Sequence, residues 1–131
     1  MKKKRDRKSI RAEGMKVRRA VLGDEHVDRA IRESDDFTRD FQDFITRYAW
    51  GEIWSRPGLP RTTRSMLTVA ILVALGNEDE FGMHVRAALR NGVTADEIRE
   101  ILLHAAIYCG LPAANKAFHI AQEVLRDGGK E

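Results

Sequence analysis

The sequence predicts an all-α fold. Three observations carry that prediction. Apolar residues recur at i, i+3, i+4 and i+7 in segment after segment, and no stretch alternates at period two between turn signals. Aromatic residues make up 7% of the 131 residues and proline occurs 3 times, a composition that suits helices better than sheets. Glycine and capping residues punctuate the apolar segments where helices should start and stop. The hydrophobic fraction, 43%, is enough for one core of ordinary size.

Taken in order, residues 1–12 read as a basic, flexible tail, and the folded domain is expected over 13–131. Residues 1–20 carry ten Lys or Arg against Asp6 and Glu13, so the net charge of +3 hides a basic head on a mildly acidic body. Nothing beyond residue 20 continues the basic patch, which argues against nucleic acid as a partner. Met15–Leu22 is short and mixed. Gly23-Asp24 is a turn signal, and Glu25–Glu33 suits a short helix carrying Val27, Ala30 and Ile31. Ser34, Asp35 and Asp36 are cap candidates. Phe37, Phe41, Phe44, Ile45, Tyr48 and Ala49 then mark a strongly amphipathic helix reaching Trp54, with Gly51 as its weak point. Residues 56–60 (RPGLP) form a loop.

Thr62 or Thr63 should cap the next helix, which runs to Leu75 and stops at Gly76. It is so apolar that it reads as the central buried helix. Asn77 and Glu80 form a second cap pair ahead of Phe81–Arg90, with a stop at Gly92. Thr94 and Glu97 have the capping-box form, and the helix they open ends at Gly110. Its residues Ile98, Ile101, Leu102, Ala105 and Cys109 form one apolar stripe, while Leu103, Ala106 and Ile107 form another. A helix apolar on two sides needs two things to pack on: its own core and, on this reading, a second subunit. Pro112 opens the last helix, to Asp127. The sum is five main helices and a possible sixth.

The lone Cys109 excludes an intramolecular disulfide, C-x-x-C redox chemistry and a thiolate zinc site, and it fits a reducing compartment. The longest apolar run, Met66–Leu75, is too short for a membrane span, and the basic start lacks the apolar stretch of a signal peptide. A cytoplasmic protein without a membrane partner is expected. No H-E-x-x-H or E-x-x-H pair points to a metal, and no Gly-rich phosphate loop or nucleophile elbow is present.

The chemistry on offer is modest. His84 has Glu80 four residues before it, on the same helical face. Such a histidine can act as acid–base group, anchor a carboxylate, or simply pack. His104 has Glu100 before it and Tyr108 after it at the same spacing. Arg61 and Arg64 flank the start of the most apolar helix, where two guanidiniums and the positive helix end together favour an anion. Trp50 and Trp54, one turn apart, suit core or interface anchors.

Three long segments then resemble a known family. They are VRRAVLGDEHVDRA near the start, YAWGEIWSRPGLPRTTRSMLTVAILVALG in the middle, and EFGMHVRAALRNGVTADEIREILLHAAIYCGLPAANKAF at the end. In order and spacing they are similar to the 4-carboxymuconolactone decarboxylase family from Gly14 onward. The resemblance implies a single-domain helical bundle of the alkylhydroperoxidase D-like type, assembled as a homo-oligomer, a hexamer or trimer of dimers. It implies cofactor-independent decarboxylation of 4-carboxymuconolactone to 3-oxoadipate enol-lactone in protocatechuate breakdown, the β-ketoadipate pathway. Redox relatives of this fold use C-x-x-C-x-x-x-H. Setting its histidine on His84 puts Asn77 and Glu80 in the cysteine slots. On this resemblance His84 donates the proton or meets the lactone oxygen, and Glu80 orients it or relays a proton. Arg64 and Arg61 bind substrate carboxylate, and His104 and Tyr108 help wall the pocket. A thiol-dependent peroxidase of the same fold, or a non-catalytic interaction module using the basic head, are the rival readings.

Overall fold

The computed structural model describes residues 5–128, and these are helical with no strand among them. Seven α-helices and one π segment replace the five or six helices expected: α1 (Arg7–Leu22), α2 (Asp24–Glu33), α3 (Arg39–Ile45) continuing as a π segment (Thr46–Trp54), α4 (Arg61–Leu75), α5 (Glu78–Arg90), α6 (Ala95–Cys109) and α7 (Leu111–Arg126). The chain divides after Leu59 into two compact units.

In the first unit, α1 starts inside the stretch read as a tail. Asp6 caps it by accepting from the backbone N–H of Ser9 at 2.8 Å. Residues 1–4 of that tail lie outside the described residues. Helix α1 packs along the π segment and against α2. The contact with the π segment is backbone on backbone. A Cβ on Gly14 would sit 2.0 Å from the Thr46 carbonyl oxygen, and one on Gly51 would sit 2.7 Å from that of Ile10. The i→i+5 bonding of the π segment rotates side chains away from a 3.6-residue projection. Past Thr46 the buried residues are Trp50 and Gly51. The aromatic residues of the amphipathic stripe face outward: Phe37 is 94% exposed, and Phe41, Phe44 and Tyr48 are at least half exposed. Phe44 and Tyr48 stack on each other, with ring centroids 5.5 Å apart, and Trp50 and Trp54 lie 5.1 Å apart.

In the second unit, α4 packs on α5 and α6, and α7 packs on α5 and α6. Val69, Val73, Phe81, Val85, Ile98, Leu102, Ala117 and Val124 form the centre of its core. Three local signals read from the sequence hold. The Thr94–Glu97 capping box has both of its bonds, at 2.9 and 3.1 Å. Asn77 caps α5, accepting from Glu80 N–H at 3.3 Å. Gly76 ends α4 in the left-handed region. Two readings change. Helix α4 starts at Arg61 with Pro60 as its N-cap, so neither Thr62 nor Thr63 caps it; the proline ring sets φ at −67° and no side chain caps the first turn. Nor is α4 buried all round, because Leu67, Ile71 and Leu75 are exposed, one turn apart. Helix α6 has its expected core stripe, and its second apolar surface, Leu103 and Ile107, is uncovered. No helix among the described residues is long and apolar enough to cross a membrane.

Candidate functional site

All six residues singled out in the sequence fall in the second unit. Asn77 fixes the start of α5, which puts Glu80 in its first turn and His84 one turn later. Phe81, Gly82, Val85 and Ala88 bury the inner face of α5. His84 sits at the edge of that face and keeps only 12% of its side chain exposed, while Glu80 keeps 51%. His84 Nε2 and Glu80 Oε2 are 3.8 Å apart, too long for a hydrogen bond but within ion-pair range once the imidazole is protonated.

Arg61 and Arg64 occupy the first turn of α4; Arg61 is exposed and Arg64 half-buried. That turn has no acidic residue and no side-chain cap, so the helix end retains its positive character. Buried Ser65, next to Arg64, accepts from Asn91 Nδ2 at 3.2 Å, and Asn91 is the C-cap of α5. This bond ties the start of α4 to the end of α5. Seven residues separate Asn91 from His84, so at 1.5 Å per residue the two levels lie about 10 Å apart along the helix.

His104 and Tyr108 form a pair of their own on α6, with ring centroids 5.2 Å apart and planes tilted by 39°. Both are exposed, Tyr108 by 78%. The structure thus brings Glu80 to His84 and His104 to Tyr108, and ties the Arg64 turn to the helix that bears His84. Two grooves of this unit lie elsewhere. One, about 450 Å³, is lined by Ile98, Arg99, Phe118, Gln122 and Leu125 among others, and a smaller one by Leu72, Asn77, Phe81 and Lys116 among others. Neither includes any of the six. Cys109 is half-buried, and the chain holds no second cysteine to pair with it. Among the described residues no three His, Cys, Asp or Glu side chains are grouped to hold a metal ion.

Sequence reasoning missed Arg18. It lies on α1 among Gly14, Val17 and Val21, and is as buried as they are, with 5% exposed. Its Nη1 donates to Thr46 Oγ1 at 3.3 Å and its Nη2 to Gln42 Oε1 at 3.0 Å. Burial first, and the neighbouring Arg19 second, lower its pKa from the ordinary arginine value. The signal was available: a basic residue four positions after Gly14 interrupts the buried stripe of an amphipathic helix.

Residues 39–123 match the model of the carboxymuconolactone decarboxylase family. A 4-carboxymuconolactone decarboxylase of Acinetobacter baylyi is 57% identical over 117 residues, covering 89% of this chain and 87% of the relative. A nitrosuccinic acid decarboxylase of Metarhizium robertsii is 48% identical, over 88% of this chain and 80% of that protein. A 4-carboxymuconolactone decarboxylase of Pseudomonas putida is 59% identical over 39 residues, 30% of this chain and 81% of the relative.

Proposed function

This chain belongs to the carboxymuconolactone decarboxylase family, and from that premise we propose that it decarboxylates 4-carboxymuconolactone to 3-oxoadipate enol-lactone and carbon dioxide. The observation that carries the reading is the 57% identity to the Acinetobacter enzyme over nearly the whole of both chains. The reaction is within the means of these side chains. The departing carboxylate sits on a ring carbon allylic to a C=C bond conjugated with the lactone carbonyl. When the C–C bond breaks, its electron pair moves through the double bond onto the carbonyl oxygen, giving a dienolate. A proton then returns to the carbon next to that carbonyl. The substrate is its own electron sink, so the protein is asked to bind carboxylates, stabilise an oxyanion and deliver one proton.

His84 is the proton donor, or the partner of the lactone oxygen, and Glu80 orients it or relays the proton. Its low exposure and the carboxylate one turn away suit that role. Arg64, with Arg61 beside it, holds a substrate carboxylate at the positive end of α4. His104 and Tyr108 contribute to the pocket wall from the uncovered side of α6. The exposed apolar stripes of α4 (Leu67, Ile71, Leu75) and α6 (Leu103, Ile107) support assembly as a homo-oligomer, in which a neighbouring copy closes the site.

The name of the Metarhizium relative favours a second reading, a nitro-substituted dicarboxylate as substrate. A nitro group beside a departing carboxylate accepts the electron pair just as the conjugated lactone does. The test is direct. Purified protein is mixed with freshly made 4-carboxymuconolactone or with nitrosuccinate, and loss of substrate and release of carbon dioxide are followed. Turnover of the lactone at kcat/KM above about 10⁴ M⁻¹s⁻¹, in the ordinary enzyme range, is the expected result. Turnover of nitrosuccinate alone transfers the assignment to the second reading, and turnover of neither overturns both.

A further inference from the structure

The first unit holds an open groove of about 470 Å³ between α1, α2 and α3, containing none of the residues assigned above to decarboxylation. Met15 and Ile31 give it apolar wall, Ser34 and Gln42 give it polar wall, and Arg18 lies in its lining. A buried guanidinium is costly unless an anion answers it. Arg18 has no such answer among the described residues. Its two hydrogen bonds go to a hydroxyl and an amide oxygen, both neutral, and its Nε, sealed from solvent, has no partner among the described residues. Guanidinium carries five N–H donors, and these two bonds use two of them.

The carboxylates in the same lining are committed elsewhere or exposed. Asp43 accepts from Arg11 Nε at 2.9 Å and from Arg47 Nε at 2.8 Å. Asp35 accepts from the backbone N–H groups of Phe37 and Thr38 at 3.0 and 3.2 Å. Asp40 is exposed. We propose that this groove binds a small organic carboxylate, whose charged end meets the buried Arg18 guanidinium and whose hydrocarbon body lies on Met15 and Ile31. The apolar wall selects a carboxylate with a carbon chain over inorganic phosphate.

Isothermal titration of the full chain with adipate, a flexible six-carbon dicarboxylate, tests this, with inorganic phosphate as the second arm. Saturable adipate binding, at least tenfold tighter than phosphate, is expected. Arg18→Gln should weaken it at least tenfold. Gln42→Glu keeps the shape of the groove and places a carboxylate where the amide already meets Arg18. It should also weaken adipate binding at least tenfold, while raising the melting temperature. That pair of changes separates a ligand site from a purely structural arginine, because a structural role predicts the rise in stability with adipate affinity unmoved. The proposal is overturned if adipate does not bind, if phosphate binds as tightly, or if adipate affinity survives Gln42→Glu. Survival would place the bound adipate elsewhere.

Discussion

Replacing Gly14 by alanine should unfold this protein more easily, against the ordinary expectation for a helix. Gly14 lies in the interior of α1. At an exposed interior position, glycine to alanine stabilises a helix by about 0.8–1 kcal/mol. Here the new Cβ would sit 2.0 Å from the Thr46 carbonyl oxygen and 3.0 Å from the Gly51 nitrogen. An ordinary contact to oxygen begins near 3.4 Å, so α1 and the π segment must separate by more than an ångström. Both obstructing atoms are backbone, so no rotamer change relieves the clash. Forcing extra volume into a packed contact costs about 1–3 kcal/mol, and separating the long α1–π contact forfeits packing along its length besides. A net loss of about 2 kcal/mol follows, roughly a thirtyfold fall in the folding constant. It should appear as a drop of about 6–8 °C in melting temperature for a chain of this size. The assay is urea denaturation followed by circular dichroism at fixed protein concentration, with Gly58→Ala as control, since a Cβ there meets nothing within 4 Å. A Gly14→Ala protein as stable as the wild type would mean that α1 and the π segment are not held backbone to backbone.

The remaining predictions concern the site and the charged surface. His84→Ala should lower kcat at least tenfold with its circular dichroism unchanged, because general acids typically contribute ~10²–10⁴-fold; wild-type turnover would remove His84 from the mechanism. Acid should loosen the first unit. The hydrogen bond from Arg47 holds the Asp43 carboxyl below its ordinary 3.8, and the backbone N–H of Ser9 does the same for Asp6. Both folded values lie below the unfolded ones, so this stabilisation is complete above 3.8 and is lost as pH falls through the depressed values. Asp43→Asn should therefore flatten the decline of the urea midpoint below about pH 4; an unaltered decline would show that Asp43 carries none of it. Deleting residues 1–12 should lower the melting temperature, since it removes the Asp6 cap, the Ile10 contact with Gly51 and the Arg11–Asp43 ion pair. An unchanged melting temperature would contradict the α1–π packing described here.

What the sequence disclosed, and what it withheld, divides along one physical line. Caps and stops are local, so Asn77, Gly76, Thr94 with Glu97, and Gly110 were legible from neighbours three or four residues away. The Glu80–His84 and His104–Tyr108 pairs were legible for the same reason, because i,i+4 spacing fixes them whatever the rest of the chain does. The start of α1 was hidden because the ten basic residues of the first twenty read as a solvated tail, although Asp6 stands three residues before the Ser9 N–H that it caps. The π segment has no composition of its own, so an α projection carried past Thr46 kept Tyr48 on the apolar stripe without showing that it is exposed while Trp50 is buried.

The larger gap concerns which apolar surfaces are covered. Periodicity tells that Phe37, Phe41 and Phe44 share a face, that Leu67, Ile71 and Leu75 share another, and that Leu103 and Ile107 share a third. It does not tell what lies opposite, and among the described residues these three faces remain about half exposed or more. Apolar stripes on α4 and α6 flank the arginine turn and the histidine–tyrosine pair, so the surface that would join two copies and the surface that would hold a substrate draw on the same two helices. Contiguous exposed apolar stripes of this kind are what the proposed assembly requires. A variant that places charge in this stripe, such as Ile107→Lys, should then lose turnover and assembly together, although Ile107 has no chemistry to offer. Loss of assembly with kcat intact would show that each copy completes its own pocket.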